Sequence, residues 1–220
     1  MLISRLSGLV SAKKSAAGPI FVGAGTPAMG NGSVFNVQYP SGIQSGDLLV
    51  LLIMGSPIVY GWTLIQKTGQ HDFIQAHRLI YTSGSSVTVY MTFPGQYLAV
   101  VLAFRNVAAN PIPVSTLGAI SGTSITIPGV TTTLPNCMIC LCTFAVSELG
   151  NPTISNWSNP NLTGLTEVTD FVHLGGGIAA ACGIKATAGA TGNTTANAAA
   201  AVTTAAGYSA AIAFAIAPAS

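Results

Sequence analysis

Apolar residues recur at every second position through much of this chain. In SVFNVQY, Phe35, Val37 and Tyr39 fall on one face; in SSVTVYMTF, Val87, Val89, Met91 and Phe93 do the same. A two-residue period marks a β-strand with one buried face. Four longer runs are apolar without alternation: DLLVLLIM (47–54), QYLAVVLAFRNV (96–107), NCMICLCTFAV (136–146) and YSAAIAFAI (208–216). Such runs predict strands buried on both faces, at sheet centres. GWTLIQ (61–66), DFIQAHRLIYT (72–82), TSITI (123–127) and GGIAAACGIKAT (176–187) complete a set of about ten strands. Gly, Pro, Asn and Ser cluster between most of them, as strand-joining turns do.

Helical periodicity is scarce. Leu2, Leu6, Leu9 and Lys13 stand near helical spacing, so residues 2–12 read either as a short amphipathic helix or as an extended arm. TTANAAAAVTTAAGYSAA (194–211) is Ala-rich, and propensity alone favours helix there. Its interspersed Thr and Asn and its Gly207 favour strand–turn–strand instead.

The two halves of the chain echo each other. The first runs VFNVQYP, GDLLVLLIM, GWTLI, HRLIYT, SGSSVTVYM, YLAVVLAF; the second runs SITIPGV, NCMICLCTFA, NWSNPNLTGL, GGIAAACGIKAT, GATGNTTANA, YSAAIAFAI. The expected fold is all-β: a jelly-roll-like β-sandwich of about ten strands from two similar halves. An N-terminal arm (1–19) precedes the sandwich (20–220). Trp62 and Trp157 are expected at equivalent places, under loops at the sandwich ends.

Composition adds a constraint. Half of the 220 residues are hydrophobic and only 5% are charged, against about 25% in an ordinary soluble domain. The polar surface is therefore built from Ser, Thr, Asn, Gln and Gly, with little charge repulsion to keep copies apart. Such a surface suits a protein packed into an assembly. Net charge is +2, too small for a nucleic-acid footprint. Arg5, Lys13 and Lys14 place the basic excess in the arm, and the four remaining cations face five acids. The arm makes a poor signal peptide, because Arg5 interrupts its front and Ser and Gly break its apolar stretch. The apolar tail is shorter than the ~18 residues a membrane helix needs and ends in Pro. Neither secretion by this route nor membrane insertion is expected.

Catalytic groups are few. Five carboxylates and three histidines serve the whole chain, with no His-Glu-x-x-His and no Gly-x-Ser-x-Gly. Gly25 to Gly30 has P-loop spacing, but Asn31 replaces the required Lys. Gly175-Gly176-Gly177 reads as a bend before a strand. His71-Asp72 with His77 offers an acid–base pair without a marked nucleophile, and surface loop residues are the better reading. Cys137, Cys140, Cys142 and Cys182, with His173, could supply zinc ligands, but three of them lie in one apolar strand rather than on a knuckle turn. Alternation puts Cys140 and Cys142 on one face and Cys137 on the other. Free thiols as small core residues fit folding in a reducing cytoplasm. No cofactor is expected. Tyr60, Trp62, Tyr81, Tyr90 and Tyr97 could form a sugar-stacking platform, with Tyr60, Trp62 and Tyr81 the named candidates, though aromatics are also ordinary strand residues.

Taken together, SGDLLVLLIM followed by GWTLI, then YLAVVLAFRNV, AGATGNTTA and the YSAAIAFAIAP tail resemble a β-sandwich module of tailed-bacteriophage virion proteins. That module is found in capsid cement or decoration proteins and at the tips of tail fibres and tailspikes. The resemblance spans roughly residues 20–218 and rests on scaffold positions, so it carries over no functional residue. It implies a trimeric, non-enzymatic virion surface protein that folds in the host cytoplasm before assembly. Decoration of the capsid, against the major capsid protein, is the expected role. Only a short basic arm precedes the sandwich, and Leu2, Ile3, Arg5, Leu6, Lys13 and Lys14 are its candidate docking residues. The alternative is a receptor-binding tail-tip module that recognises host surface glycan. A carbohydrate-active enzyme would need two carboxylates roughly 5–10 Å apart in a cleft, which five acids make the weakest reading.

Overall fold

A computed structural model describes residues 17–68, 72–203 and 208–220. The arm residues Leu2, Ile3, Arg5, Leu6, Lys13 and Lys14 lie outside the described residues, as does His71. The described chain is all-β, in several antiparallel sheets. Seventeen strands are described, against the ten expected. The first half holds β1 (Ile20–Ala24), β2 (Ala28–Gln38), β3 (Leu48–Met54), β4 (Pro57–Ile58), β5 (Thr63–Thr68), β6 (Ile74–Ile80) and β7 (Ser86–Arg105). The second holds β8 (Val114–Ala119), β9 (Gly122–Ile127), β10 (Thr131–Thr132), β11 (Cys137–Val146), β12 (Ile154–Ser158), β13 (Thr163–His173), β14 (Gly176–Lys185), β15 (Gly189–Ala190), β16 (Thr194–Val202) and β17 (Ala210–Ile216).

The two halves of the chain follow matching strand orders. One five-strand path runs β1-β7-β3-β6-β5 and the other runs β8-β17-β11-β14-β13. Matched from edge to edge, each begins with the half's first strand, next to its last. A three-strand group accompanies each path. In the second half it is the separate sheet β12-β16-β9; in the first, β4 and β2 flank the leading part of β7. The strand β7 is long enough to serve both groups. Its residues 86–91 pair with the end of β2 and with β4, its residues 95–99 pair with the start of β2, its residues 98–105 pair with β1 and β3, and the break in register falls next to Pro94-Gly95. The alternation predicted for this segment ends there, and Phe93 is exposed instead of continuing the buried row of Val87, Val89 and Met91.

Alternation within the strands sorts the core into three seams. Leu49, Leu51 and Ile53 pack with Phe35, Val37 and Val89, between the first half's two groups. Ile139, Leu141 and Ala213 pack with Ile125, Ile127 and Ala196, between the second half's two sheets. The opposite faces of the five-strand groups pack on each other: Leu48, Val50, Leu102 and Phe104 meet Cys140, Cys142, Phe144 and Phe214. The result is four layers, three strands, five, five and three. This explains the unbroken apolar runs, since every residue of β3 and β17 is buried. Cys140 and Cys142 share the central seam while Cys137 faces the outer one, as alternation requires. Close approach at the central seam also favours a residue without a side chain: a Cβ on Gly176 would lie 3.3 Å from Leu98 Cδ1.

The polar strand β13 escaped the sequence reading. Its bulges between Thr163/Thr166 and Glu167/Thr169 break the alternation that would have marked it. It joins β14 through Leu174-Gly175, whose φ of +49° and +81° fit a tight two-residue hairpin turn. The Ala-rich stretch forms β16 and β17, as its Thr, Asn and Gly residues predicted.

Phe104 and Phe214 are fully buried from opposite sides of the central seam. Phe104→Ala and Phe214→Ala should each lower unfolding free energy by about 3–5 kcal/mol through lost burial and a residual cavity. Urea denaturation measures this, and a loss under about 1 kcal/mol at both sites would contradict the packing described.

Candidate functional site

The aromatic candidates divide into two groups. Trp62 and Tyr81 are half-buried against the first half's outer seam, and both meet Tyr39, at centroid distances of 6.3 Å and 5.9 Å. The Tyr81 hydroxyl donates to the Gly84 carbonyl at 2.9 Å. Burial pushes the Tyr39 phenol above its ordinary range, with Tyr81 adding to the effect. Tyr97 also turns inward, stacked on Phe35 with centroids 3.6 Å apart. These rings close the rim of a core. Trp157 is likewise half-buried, against the second half's outer seam, and its Nε1 donates to Glu167 Oε2 at 2.9 Å. It lies within β12, whereas Trp62 lies between β4 and β5, so the two tryptophans do not occupy equivalent elements.

Tyr60 stands apart from Trp62 and Tyr81, 72% exposed and edge-on to Tyr90 with centroids 5.7 Å apart. Tyr90 is the middle of a cross-strand row, with Val34 on β2 to one side and Ile58 on β4 to the other. Val34, Tyr90 and Ile58 are 54%, 42% and 41% exposed. The next rung is polar: Thr88 Oγ1 donates to Asn36 Oδ1 at 2.8 Å. The structure therefore brings together Tyr60, Tyr90, Ile58 and Val34 on an open sheet face, while Trp62 and Tyr81 pack against the outer seam. A sequence signal for this row existed. Val34 and Tyr90 occupy the outward positions of alternating strands, where polar residues are the norm.

The matching face of the second half is different. Its corresponding strands expose Ser124 and Thr126 on β9, Thr195 and Asn197 on β16, and Ser155 and Ser158 on β12. The aromatic row belongs to one half alone.

The titratable groups serve structure. Asp47 is buried and receives two hydrogen bonds from Arg105, at 2.8 Å and 2.7 Å, and one from the Gln44 N–H at 2.7 Å. Burial pulls the Asp47 carboxyl up, but Arg105 and the Gln44 N–H outweigh it and hold it below the usual range. This pair joins the Asp of SGDLLVLLIM to the Arg of YLAVVLAFRNV. Asp72 is engaged with Lys67 at 2.8 Å, and His77 is buried on β6 with its Nε2 2.6 Å from Gln75 Oε1. Burial lowers the His77 imidazole to about 4. The expected surface placement of His77 is thus overturned, because its position on β6 alternates into the sheet's covered face. All four thiols are free and buried; Cys140 and Cys182 face each other across β11 and β14. Burial pushes Cys140 well above the ordinary thiol range, and contact with Cys140 together with burial does the same for Cys182. Thiols so protonated are poor nucleophiles and poor ligands. Among the described residues, no group of three His, Cys, Asp or Glu is placed to hold a metal, and no helix is long and apolar enough to cross a membrane.

The P-loop-like glycines have a packing role. A Cβ on Gly25 would run into the Gln38 carbonyl where the ends of β1 and β2 approach. No protein-family model, curated protein or solved structure matches this chain.

Half-buried Asp170 and buried His77 set opposing pH responses. Burial raises the Asp170 carboxyl to about 6, with the Ile154 N–H lowering it and Glu167 raising it again. Its stabilising contribution is present below about pH 4 and lost as pH rises towards 6. His77 behaves oppositely: its contribution is present above about pH 6.5 and lost as pH falls towards 4. Urea denaturation at intervals between about pH 4 and 6 should therefore separate the variants. Asp170→Asn should gain stability with rising pH across this window, and His77→Gln should lose it. Parallel profiles would contradict these assignments.

Proposed function

We propose that this chain is a non-enzymatic structural protein of a bacteriophage virion, a decoration or cement protein that sits on the outer shell. Each half is read as a jelly-roll-like unit. With β7 counted as two strands, and the two-residue strands β10 and β15 of the second half set aside, first pairs with last, second with seventh and third with sixth, the winding of a jelly roll. Sandwiches of that kind serve in viral capsids and in lectins. The observation that carries the reading is the scarcity of free charge: 5% of residues are charged, and Lys67–Asp72 and Arg105–Asp47 neutralise four of those side chains. Such a surface tolerates close packing against a shell and against further copies, including the homotrimer implied by the sequence resemblance. Asp47 and the buried thiols are committed to the fold, which supports a structural role over a catalytic one. The virion setting rests on the resemblance described above.

A second reading, a receptor-binding tip of a tail fibre or tailspike that recognises host glycan, is favoured by the exposed Tyr60–Tyr90 pair. Quantitative mass spectrometry of purified particles distinguishes the two. On the order of hundreds of copies per particle is the expected result. A dozen or fewer would replace the capsid role with a tail role, and absence from particles would overturn both.

A further inference from the structure

We propose that the outward face of the β2–β7–β4 group is a binding site for a neutral saccharide, with Tyr60 and Tyr90 as its stacking surface. The proposal stands on this sheet face alone, whether or not the protein decorates a capsid. It moves the glycan-binding aromatics from Tyr60, Trp62 and Tyr81 to Tyr60 and Tyr90, because Trp62 and Tyr81 are packed into the rim of the core.

Three features select this chemistry. The first is ring geometry. Tyr60 and Tyr90 meet at 67°, so their exposed surfaces form a shallow corner, with Ile58 and Val34 flanking Tyr90. A pyranose offers an apolar C–H face that packs on aromatic rings, and it carries hydroxyls around its edge. Second, the surroundings are uncharged. β2, β4 and the 86–93 segment of β7 hold no Asp, Glu, Lys or Arg, and the polar groups beside the row are Asn36 and Thr88. An amide and a hydroxyl can donate to and accept from sugar hydroxyls, and offer nothing to a phosphate, sulfate or carboxylate. Third, the row is small. A stable protein–protein contact uses about 20–30 residues a side, whereas this one has four large side chains rimmed by small polar ones. That footprint suits one or two sugar rings.

The second half is an internal comparison. Where Tyr90 lies between Val34 and Ile58, Asn197 lies between Ser124 and Ser155. The repeated fold requires no aromatic at this position, so the Tyr row is not a structural necessity of the unit.

The test is isothermal titration of the full chain with linear hexasaccharides of glucose, galactose, mannose and N-acetylglucosamine, with sialyllactose as the charged comparison. Saturable binding of at least one neutral probe is expected. Tyr60→Ser and Tyr90→Thr should each weaken it about tenfold or more. Both positions are exposed, and Thr preserves strand preference at position 90. Trp62→Phe should leave affinity within about twofold, since Trp62 lies outside the site. Binding of no neutral probe would overturn the proposal. So would binding unchanged in both tyrosine variants, or binding of sialyllactose alone. Sedimentation velocity supplies the remaining arm: self-association abolished by Tyr60→Ser and Tyr90→Thr would make the occupant a second copy of the chain and overturn the saccharide assignment. Copy number in particles is read on a different sample, so this proposal and the virion reading can fail separately.

Discussion

The central seam between the two five-strand groups is the constraint on which the rest of the molecule depends. It buries one face of each group against the other, with Leu52, Leu102, Phe144 and Phe214 among its members. Each group must then cover its second face, and each half does so with its own three strands. Every large apolar strand is consumed by this arrangement. What remains available to other molecules is the outward side of the three-strand groups, the sheet edges and the loops. Function is therefore sought on those surfaces rather than in the interior.

The same constraint decides what happens to reactive side chains. Thiols at Cys140, Cys142 and Cys182 are held between layers as small apolar groups. Asp47 is buried at the start of β3 and satisfied by Arg105 at the end of β7, an ion pair that ties neighbouring strands of one sheet. No ionised pair recurs at the corresponding place in the second half, where Cys137 opens β11 and Ala215 stands near the end of β17. The halves thus share a winding and diverge in how they are fastened. They diverge further on their outer faces, one aromatic and the other hydroxyl- and amide-rich.

Much of the fold was legible in the sequence. Continuous apolar runs identified β3, β11 and β17 because burial on both faces erases alternation, and the same logic marked the last half of β7. Half-buried strands such as β2 showed through alternation. The echo between halves pointed to repeated topology, even though loop lengths and the tryptophans differ. Hidden from the sequence were β13, where bulges scramble the period, the short edge strands β1, β8 and β12, the two-residue strands, and the passage of β7 from one layer to another at Pro94-Gly95. The four-layer packing was also hidden. An apolar run states that both faces are covered and does not state by what. The aromatic row was half legible: Tyr60 was identified as a candidate, but its partner depends on cross-strand register between β2, β7 and β4, which pairs residues distant in sequence.

The shared central seam makes the interior one cooperative unit despite its two halves. Native-state hydrogen exchange tests this most directly. The amides of β3, the 98–105 segment of β7, β11 and β17 should be the slowest to exchange, and they should do so at one common free energy equal to that of global unfolding. Exchange of β11 and β17 at a free energy clearly different from that of β3 and β7 would show that the halves open independently, and would contradict a shared central seam.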